Sequence, residues 1–203
     1  MHPYATDSQE RLHILFLLAA LSILVAWLFS QLITAAQVTI PWWVDAPSVM
    51  GLYGIFYFLF NQFVWRFSLW AKMGLVKVPS FEGHWTGFLA SNYDSHEMRH
   101  NVRVTIQQHW TNLCITFETE SSKSHSVVAA ILTADPFGQV LVYEYMNEPR
   151  SDAKFTMHTH RGTARLRYRK ENHREFLEGE YYTGRDRQTY GTLSLEKLES
   201  KSS

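Results

Sequence analysis

Hydropathy along the chain changes its period near Pro79: two long apolar runs precede it, and alternating apolar and polar residues follow. From His13 to Val44 there is no Lys, Arg, Asp or Glu, and ILFLLAALSILVAWLFSQLITAA supplies more than the roughly 20 apolar residues needed to cross a hydrocarbon core. A transmembrane helix is predicted over about residues 13–37. A cleaved signal peptide has a shorter apolar region, about 7 to 15 residues, and here a second apolar run follows. That run, VMGLYGIFYFLFNQFVWRFSLW, reaches Trp65 before its first charge, Arg66, and predicts a second span over about residues 47–70. In the connection QVTIPWWVDAPS, Pro41 and Pro47 interrupt helix, and Trp42 and Trp43 suit a membrane interface. Residues 1–78 thus read as a two-helix transmembrane hairpin.

Past Pro79, period-two alternation marks half-buried strands. Eight candidates fall at about 81–90, 99–110, 113–120, 125–134, 139–146, 155–169, 175–185 and 190–198. Turn signals such as TN, SSKS, DPFG and NEPRSD are short enough for neighbours to pair antiparallel in chain order. Closing the series removes exposed edges, so residues 79–203 predict an eight-stranded antiparallel up-and-down β-barrel, with a sandwich as the alternative. Parity assigns the inward faces: Gly83, Trp85, Gly87 and Leu89; Val102, Val104 and Ile106; Ile115 and Phe117; and Val127, Ala129, Ile131 and Thr133. The fourth strand is apolar on both sides, which leaves its assignment two-faced.

Composition narrows the chemistry. With 19 basic and 19 acidic residues there is no global field to attract nucleic acid, and neither DNA nor RNA is an expected partner. Cys114 is the single cysteine, so an internal disulfide and a Cys-based zinc site are both excluded. His158 and His160 share a strand face as possible metal ligands, but no further ligand is placed by sequence to complete a site, and no metal or cofactor is expected. No hydrolase triad, P-loop or dinucleotide fingerprint is present, and the chain is not expected to be an enzyme. Arg11, Arg66, Lys72 and Lys77 flank the outer ends of the hairpin while the connection carries Asp45 and no Lys or Arg, which places both termini and the barrel in the cytoplasm. Ser22, Ala26 and Ser30 form a small-residue stripe that either packs on the second helix or, with Asn61, joins copies in a homo-oligomer.

The seventh strand candidate carries a row with graded polarity. Leu177, Gly179, Tyr181, Thr183 and Arg185 share one face, opposite Glu178 and Glu180. An arginine beside hydroxyls and an aromatic ring suits an anionic, planar ligand, because a guanidinium forks onto phosphate oxygens and rings stack on bases. The alternative is that Arg185, with Asp186 and Arg187, is a solvated turn. Arg161, Arg165, Arg167 and Arg169 also share a face, outward if Gly162, Ala164, Leu166 and Tyr168 are core.

The order of parts, two spans followed by FEGHWTGFL, HRGTARLRY, LEGEYYTGR and YGTLSLEKL, resembles the two-transmembrane, β-strand-rich effectors of bacterial cyclic-oligonucleotide antiphage (CBASS) systems. The resemblance implies a STING-like receptor in the bacterial inner membrane. A cyclic dinucleotide made by a partner CD-NTase-type nucleotidyltransferase binds the barrel, the protein oligomerises, the membrane loses integrity and infection aborts. Parity and resemblance together place Leu89, Thr133 and Arg185 at one ligand site, with Tyr181 and Thr183 as neighbours. Two other readings stay open: a membrane-tethered carrier of an apolar ligand, since GHW resembles the Gly-x-Trp of lipocalin-like barrels, and a non-enzymatic membrane scaffold.

Overall fold

The computed structural model describes residues 1–37, 45–94, 98–149, 159–184 and 188–198. It comprises two compact units: Ser8–Lys77, and Met1–Asp7 together with Val78–Ser203.

In the first unit the uncharged run forms α1 (Glu10–Ala35), 26 residues or about 39 Å at 1.5 Å per residue. Among the described residues it is the one helix long and apolar enough to cross a membrane. Phe16, Phe29 and Leu32 are 67%, 62% and 68% exposed, an apolar surface suited to lipid contact. α1 packs on α2 (Asp45–Gln62). Pro47 does not delay α2, because its missing N–H falls in the first turn, where no intrahelical acceptor exists. The second predicted span, however, is not one continuous helix to residue 70. α2 stops at Gln62, a 3-10 turn covers Val64–Arg66, and a short helix α3 (Ser68–Lys72) follows an extended Phe67. Phe63, Val64 and Trp65 are weak helix formers, and Trp65 is buried at 2% exposure, so packing wins over helical continuation. The backbone N–H of Lys77 donates to the Glu10 carboxylate at 2.5 Å, holding the two ends of this unit together.

In the second unit all eight predicted strands form: β2 (Gly83–Ser91), β3 (Arg99–Gln108), β4 (Asn112–Glu118), β5 (Ser122–Leu132), β6 (Val140–Pro149), β7 (His160–Glu171), β8 (Arg174–Thr183) and β9 (Tyr190–Lys197). Neighbours in sequence pair antiparallel, and β2 pairs with β9 to close the ring. Asn172 and His173, both with positive φ, make the tight turn between β7 and β8.

The barrel has nine strands, not the predicted eight. The additional strand, β1 (His2–Thr6), precedes α1 in the chain. It pairs antiparallel with β4 at His2↔Leu113 and Pro3↔Asn112, and parallel with β5 from Tyr4↔Ala129 to Thr6↔Ile131. β4 and β5 pair with each other only through Thr116, Phe117 and Glu118. Beyond those pairs the register of β5 is broken between Ser126 and Val128, and β1 occupies the gap. Backbone groups there find partners in β1 rather than remaining an open edge. The buried Tyr4 donates its hydroxyl to the Trp110 carbonyl at 2.9 Å. At the far end of β1 the Asp7 carboxylate accepts from the Thr133 N–H (2.7 Å), the Thr133 hydroxyl (2.9 Å) and the Ala134 N–H (2.9 Å).

Parity separates core from surface along most strands. Trp85, Val102, Val104, Ile106, Ile115, Ala129, Ile131, Ala164, Leu166, Leu177 and Leu195 are buried, and the arginines of β7 lie outside. Those arginines are paired: Arg165 and Arg167 with Asp135 at 3.0 and 3.6 Å, Arg169 with Glu178 at 2.9 Å, Arg161 with Glu144 at 3.7 Å. In β5 the break in register switches the inward face from Ser122, Ser124 and Ser126 to Ala129 and Ile131, which accounts for its two-faced pattern.

Burial raises the Asp7 carboxyl, but the bonds from Thr133 and Ala134 outweigh it and the net shift is downward. A depressed folded value means a contribution to stability that is complete above the ordinary carboxylate range and lost as the pH falls through the folded value. Asp7→Asn is expected to lower stability by about 1 kcal/mol at neutral pH. In thermal melts the gap from wild type should close as the pH drops below the ordinary value of 3.8.

Candidate ligand-binding site

Three of the four strands that run in one direction, β4, β6 and β8 but not β2, share an inward order of side-chain types. β4 and the residue after it give Leu113, Ile115, Phe117 and Thr119; β6 gives Leu141, Tyr143, Tyr145 and Asn147; β8 gives Leu177, Gly179, Tyr181 and Thr183. Each row starts with a leucine at 0% exposure, passes an aromatic ring and ends on a polar group. The leucine end is solid. Trp85, Phe81 and Trp110 are fully buried there, with the Trp85 indole donating to the Phe81 carbonyl at 2.9 Å and the Phe81 N–H donating to Gln108 Oε1 at 2.7 Å.

At the polar end the barrel is hollow. A cavity of about 610 Å³ opens there, lined by Phe117, Tyr145 and Tyr181 at mid-depth and by Thr119, Asn147 and Thr183 nearer the mouth. That volume lies within the range of small-molecule sites. Tyr143 forms part of the floor, its ring centroid 6.1 Å from that of Tyr145. Burial, with a smaller contribution from Tyr145, raises the Tyr143 phenol, which therefore stays neutral. On the β5 wall the Ser124 hydroxyl donates to Asn147 Oδ1 at 2.7 Å. His100, His160 and Arg99 also line the cavity, and Glu120 is the one carboxylate among its described lining residues. Hydrogen-bond donors thus outnumber acids, an arrangement that accepts an anion with flat apolar parts.

The tyrosines have room because glycines face them. A Cβ on Gly162 would meet the Tyr145 hydroxyl at 2.3 Å and the Tyr182 carbonyl at 2.7 Å. A Cβ on Gly191 would meet the Tyr181 ring at 2.8 Å and the Ala90 carbonyl at 1.9 Å.

Of the candidate ligand residues, Leu89, Tyr181 and Thr183 come together on the cavity wall. Thr183 also clamps the β8–β9 turn: its hydroxyl donates to the Thr189 carbonyl at 3.1 Å and accepts from the Thr189 N–H at 2.8 Å. Thr133 does not join them. It follows β5 at the closed end and bonds Asp7, because β5 runs opposite to β2 and β8, so their C-terminal ends lie at opposite mouths. Arg185 lies outside the described residues, as does His158; among the described residues no group of three or more His, Cys, Asp or Glu is placed to hold a metal. In the apolar unit Ser22 is fully buried, its hydroxyl donating to the Leu18 carbonyl at 2.6 Å, while Ala26 is half-buried, Ser30 exposed and Asn61 half-buried.

Several lining residues were not singled out by the sequence reading. His100 continues the inward row of Val102, and Tyr143, Tyr145 and Asn147 alternate cleanly with Val142, Glu144 and Met146, so parity could have found them. Ser122 and Ser124 lie before the break in β5 and carry no apolar signal.

Residues 76–197 match the Cap15 cyclic dinucleotide receptor domain, and residues 12–66 match the Cap15 transmembrane helices. The chain belongs to the Cap15 family. A CD-NTase-associated protein 15 from Yersinia aleksiciae is 29% identical over 157 residues, covering 75% of this chain and 70% of that protein. Another from Staphylococcus schleiferi is 26% identical over 158 residues, covering 77% of this chain and 81% of that protein. This Cap15-family chain therefore carries a cyclic dinucleotide receptor domain behind a membrane segment, and the hollow end of its barrel lies within the receptor-domain match.

Gly162→Ala is expected to destabilise the barrel by about 1 to 3 kcal/mol, because the new methyl must displace Tyr145 and press on backbone. Gly184→Ala, whose nearest atom would be the Arg161 carbonyl at 3.5 Å, serves as the neutral control in the same denaturant titration.

Proposed function

We propose that the mouth of the barrel seats the cyclic dinucleotide. The bases stack on Phe117, Tyr145 and Tyr181, and the phosphodiester groups meet Thr183, the β5 serines and the guanidinium of Arg185, which follows Thr183 and Gly184 in the chain. The observation that carries this reading is the shared inward order of β4, β6 and β8, from leucine through an aromatic ring to a polar group. A nucleotide needs aromatic faces and donors at different depths, and this order supplies both. Leu89 packs against the ligand from β2.

Residues 79–203, with β1, serve as the cytoplasmic receptor, and residues 8–78 hold the inner membrane as a two-helix hairpin. Chain continuity supports the hairpin. β1 and β2 belong to one barrel yet lie on either side of the apolar unit, so the intervening chain crosses the bilayer an even number of times. α1 crosses once by length, and the segment through α2 returns. The Glu10 to Lys77 bond agrees, since it brings the two ends of that unit together. The ligand comes from a CD-NTase-type nucleotidyltransferase. Its binding drives homo-oligomerisation, with Ser30, Ala26 and Asn61 offered to neighbouring copies and Ser22 packing within the chain, and the assembled spans breach the membrane and abort infection.

Calorimetry on the full chain in detergent micelles, titrated with 3′,3′-cyclic di-AMP, 3′,3′-cyclic di-GMP and oleate, tests the reading. A cyclic dinucleotide is expected to bind, and Tyr181→Ala to weaken it by about 5- to 150-fold, the worth of one stacked base. Arg185→Ala should weaken it by about tenfold or more while leaving the melting temperature unchanged. Heat with oleate and silence with cyclic dinucleotides would instead identify an apolar-ligand carrier.

A further inference from the structure

The N-terminal strand offers a route from the ligand cavity to the membrane helix. β1 ends at Thr6, Asp7 is bonded to the barrel, and after Ser8 and Gln9 the chain enters α1 at Glu10. Three residues, Asp7, Ser8 and Gln9, join the end of β1 to the first residue of α1.

The other end of β1 is bonded to the cavity wall. On the inward face of β5, Ser122 and Ser124 line the cavity, and Ser126 is the next residue in the same buried row. Ser126 Oγ accepts the Ile115 N–H at 2.9 Å and lies 2.7 Å from His2 Nε2. His2 Nδ1 sits 2.9 Å from the Pro3 carbonyl, which can only accept, so Nδ1 donates there and in the neutral ring Nε2 accepts the Ser126 hydroxyl. A single chain of hydrogen bonds thus runs from β4 through the cavity strand to β1. It passes through the position where the register of β5 breaks, between Ser126 and Val128. The bulge leaves Val127 outside the β5–β6 ladder and turns the residues on either side of it to different faces.

We infer that β1 is a coupling strut: ligand held by Ser122 and Ser124 immobilises the Ser126 position, locks His2 and the rest of β1 into the seam between β4 and β5, and so fixes the start of α1. The two states are a β1 that frays from the seam and a β1 held in it. Ligand selects the second because opening the seam displaces the serine row that the ligand touches. The occupant of the seam is the chain's own β1, and the residues that set the coupling are His2, Tyr4 and Ser126. This rests on the receptor reading above.

The test uses the full chain reconstituted in dye-loaded vesicles of phosphatidylethanolamine and phosphatidylglycerol, with whichever of 3′,3′-cyclic di-AMP or 3′,3′-cyclic di-GMP gives binding heat. Saturating ligand is expected to slow hydrogen exchange at the amides of Tyr4 to Asp7 at least fivefold in wild type. His2→Ala alters one side chain near the N-terminus. It should keep ligand affinity within twofold, lose the slowing at Tyr4 to Asp7 and cut ligand-triggered dye release at least tenfold. Tyr4→Phe, which removes the bond to the Trp110 carbonyl without changing the ring, should reduce both effects in the same sense. Slowing confined to β5, β6 and β8 with β1 unchanged overturns the inference and leaves the receptor reading intact. So does undiminished dye release from both variants. Absence of binding heat with every cyclic dinucleotide overturns the receptor reading, and the strut with it.

Discussion

A closed sheet has a nearly fixed bore, so a hollow at one end requires that the bulk be placed at the other. Here Trp85, Trp110 and Phe81 share the closed end with Ile106, Leu113, Leu141, Leu166, Leu177 and Leu195, all essentially inaccessible. Alternation along a strand lets each inward position be chosen independently of the outer face. Large aliphatic side chains fill the bore near Trp85, rings line it at mid-depth, and small polar groups leave it open at the mouth. Stability is thereby concentrated away from the ligand, and the mouth can carry hydroxyls and an amide without breaking the core.

The outer surface follows a different rule. The β7 arginines pair with acids on the neighbouring turn and strands, Arg165 and Arg167 both reaching Asp135. Such exposed pairs contribute little energy each. They leave each guanidinium of that row facing an acid on the outer surface. At the closed end Lys197 lies 2.9 Å from Glu175 and 5.5 Å from the Trp85 ring centroid. Burial raises Glu175, but hydrogen bonds and charge from Lys197 and Lys170 outweigh it and keep the carboxylate ionised.

Period-two alternation made eight strands and most of their inward faces readable, because each strand has one wet side. It could not show β1. His2–Thr6 is short, contains a proline, precedes an apolar helix, and owes its place to a seam formed more than 100 residues later by β4 and β5. The seam in turn depends on a break in register that period-two reading erases: a strand apolar on both sides hides the change of face between Ser126 and Val128. Thr133 illustrates a different gap. Its parity was read, but direction was not, and successive antiparallel strands present their ends alternately at opposite mouths. The same bookkeeping puts Leu89 and Thr183 together, since β2 and β8 run the same way. Ser22, Ala26 and Ser30 form a stripe in sequence, yet burial decreases along it from Ser22 to Ser30, a difference that residue type does not predict.

Magnitude decides which part of this molecule a messenger can move. A ligand shifts an equilibrium only by its difference in affinity for the two states, and a hundredfold preference amounts to about 2.7 kcal/mol. Disturbing the packed end costs more, because deleting even one buried aromatic side chain costs about 3 to 5 kcal/mol. β1 is a smaller unit: five residues whose backbone pairs with β4 and β5, with Tyr4 buried, His2 against Ser126 and the Asp7 carboxylate just beyond the strand. Net hydrogen bonds of about 1 kcal/mol each are opposed by the cost of ordering the strand. If β1 is the strut inferred above, the messenger need bias only these contacts, while the packed end of the barrel is left undisturbed.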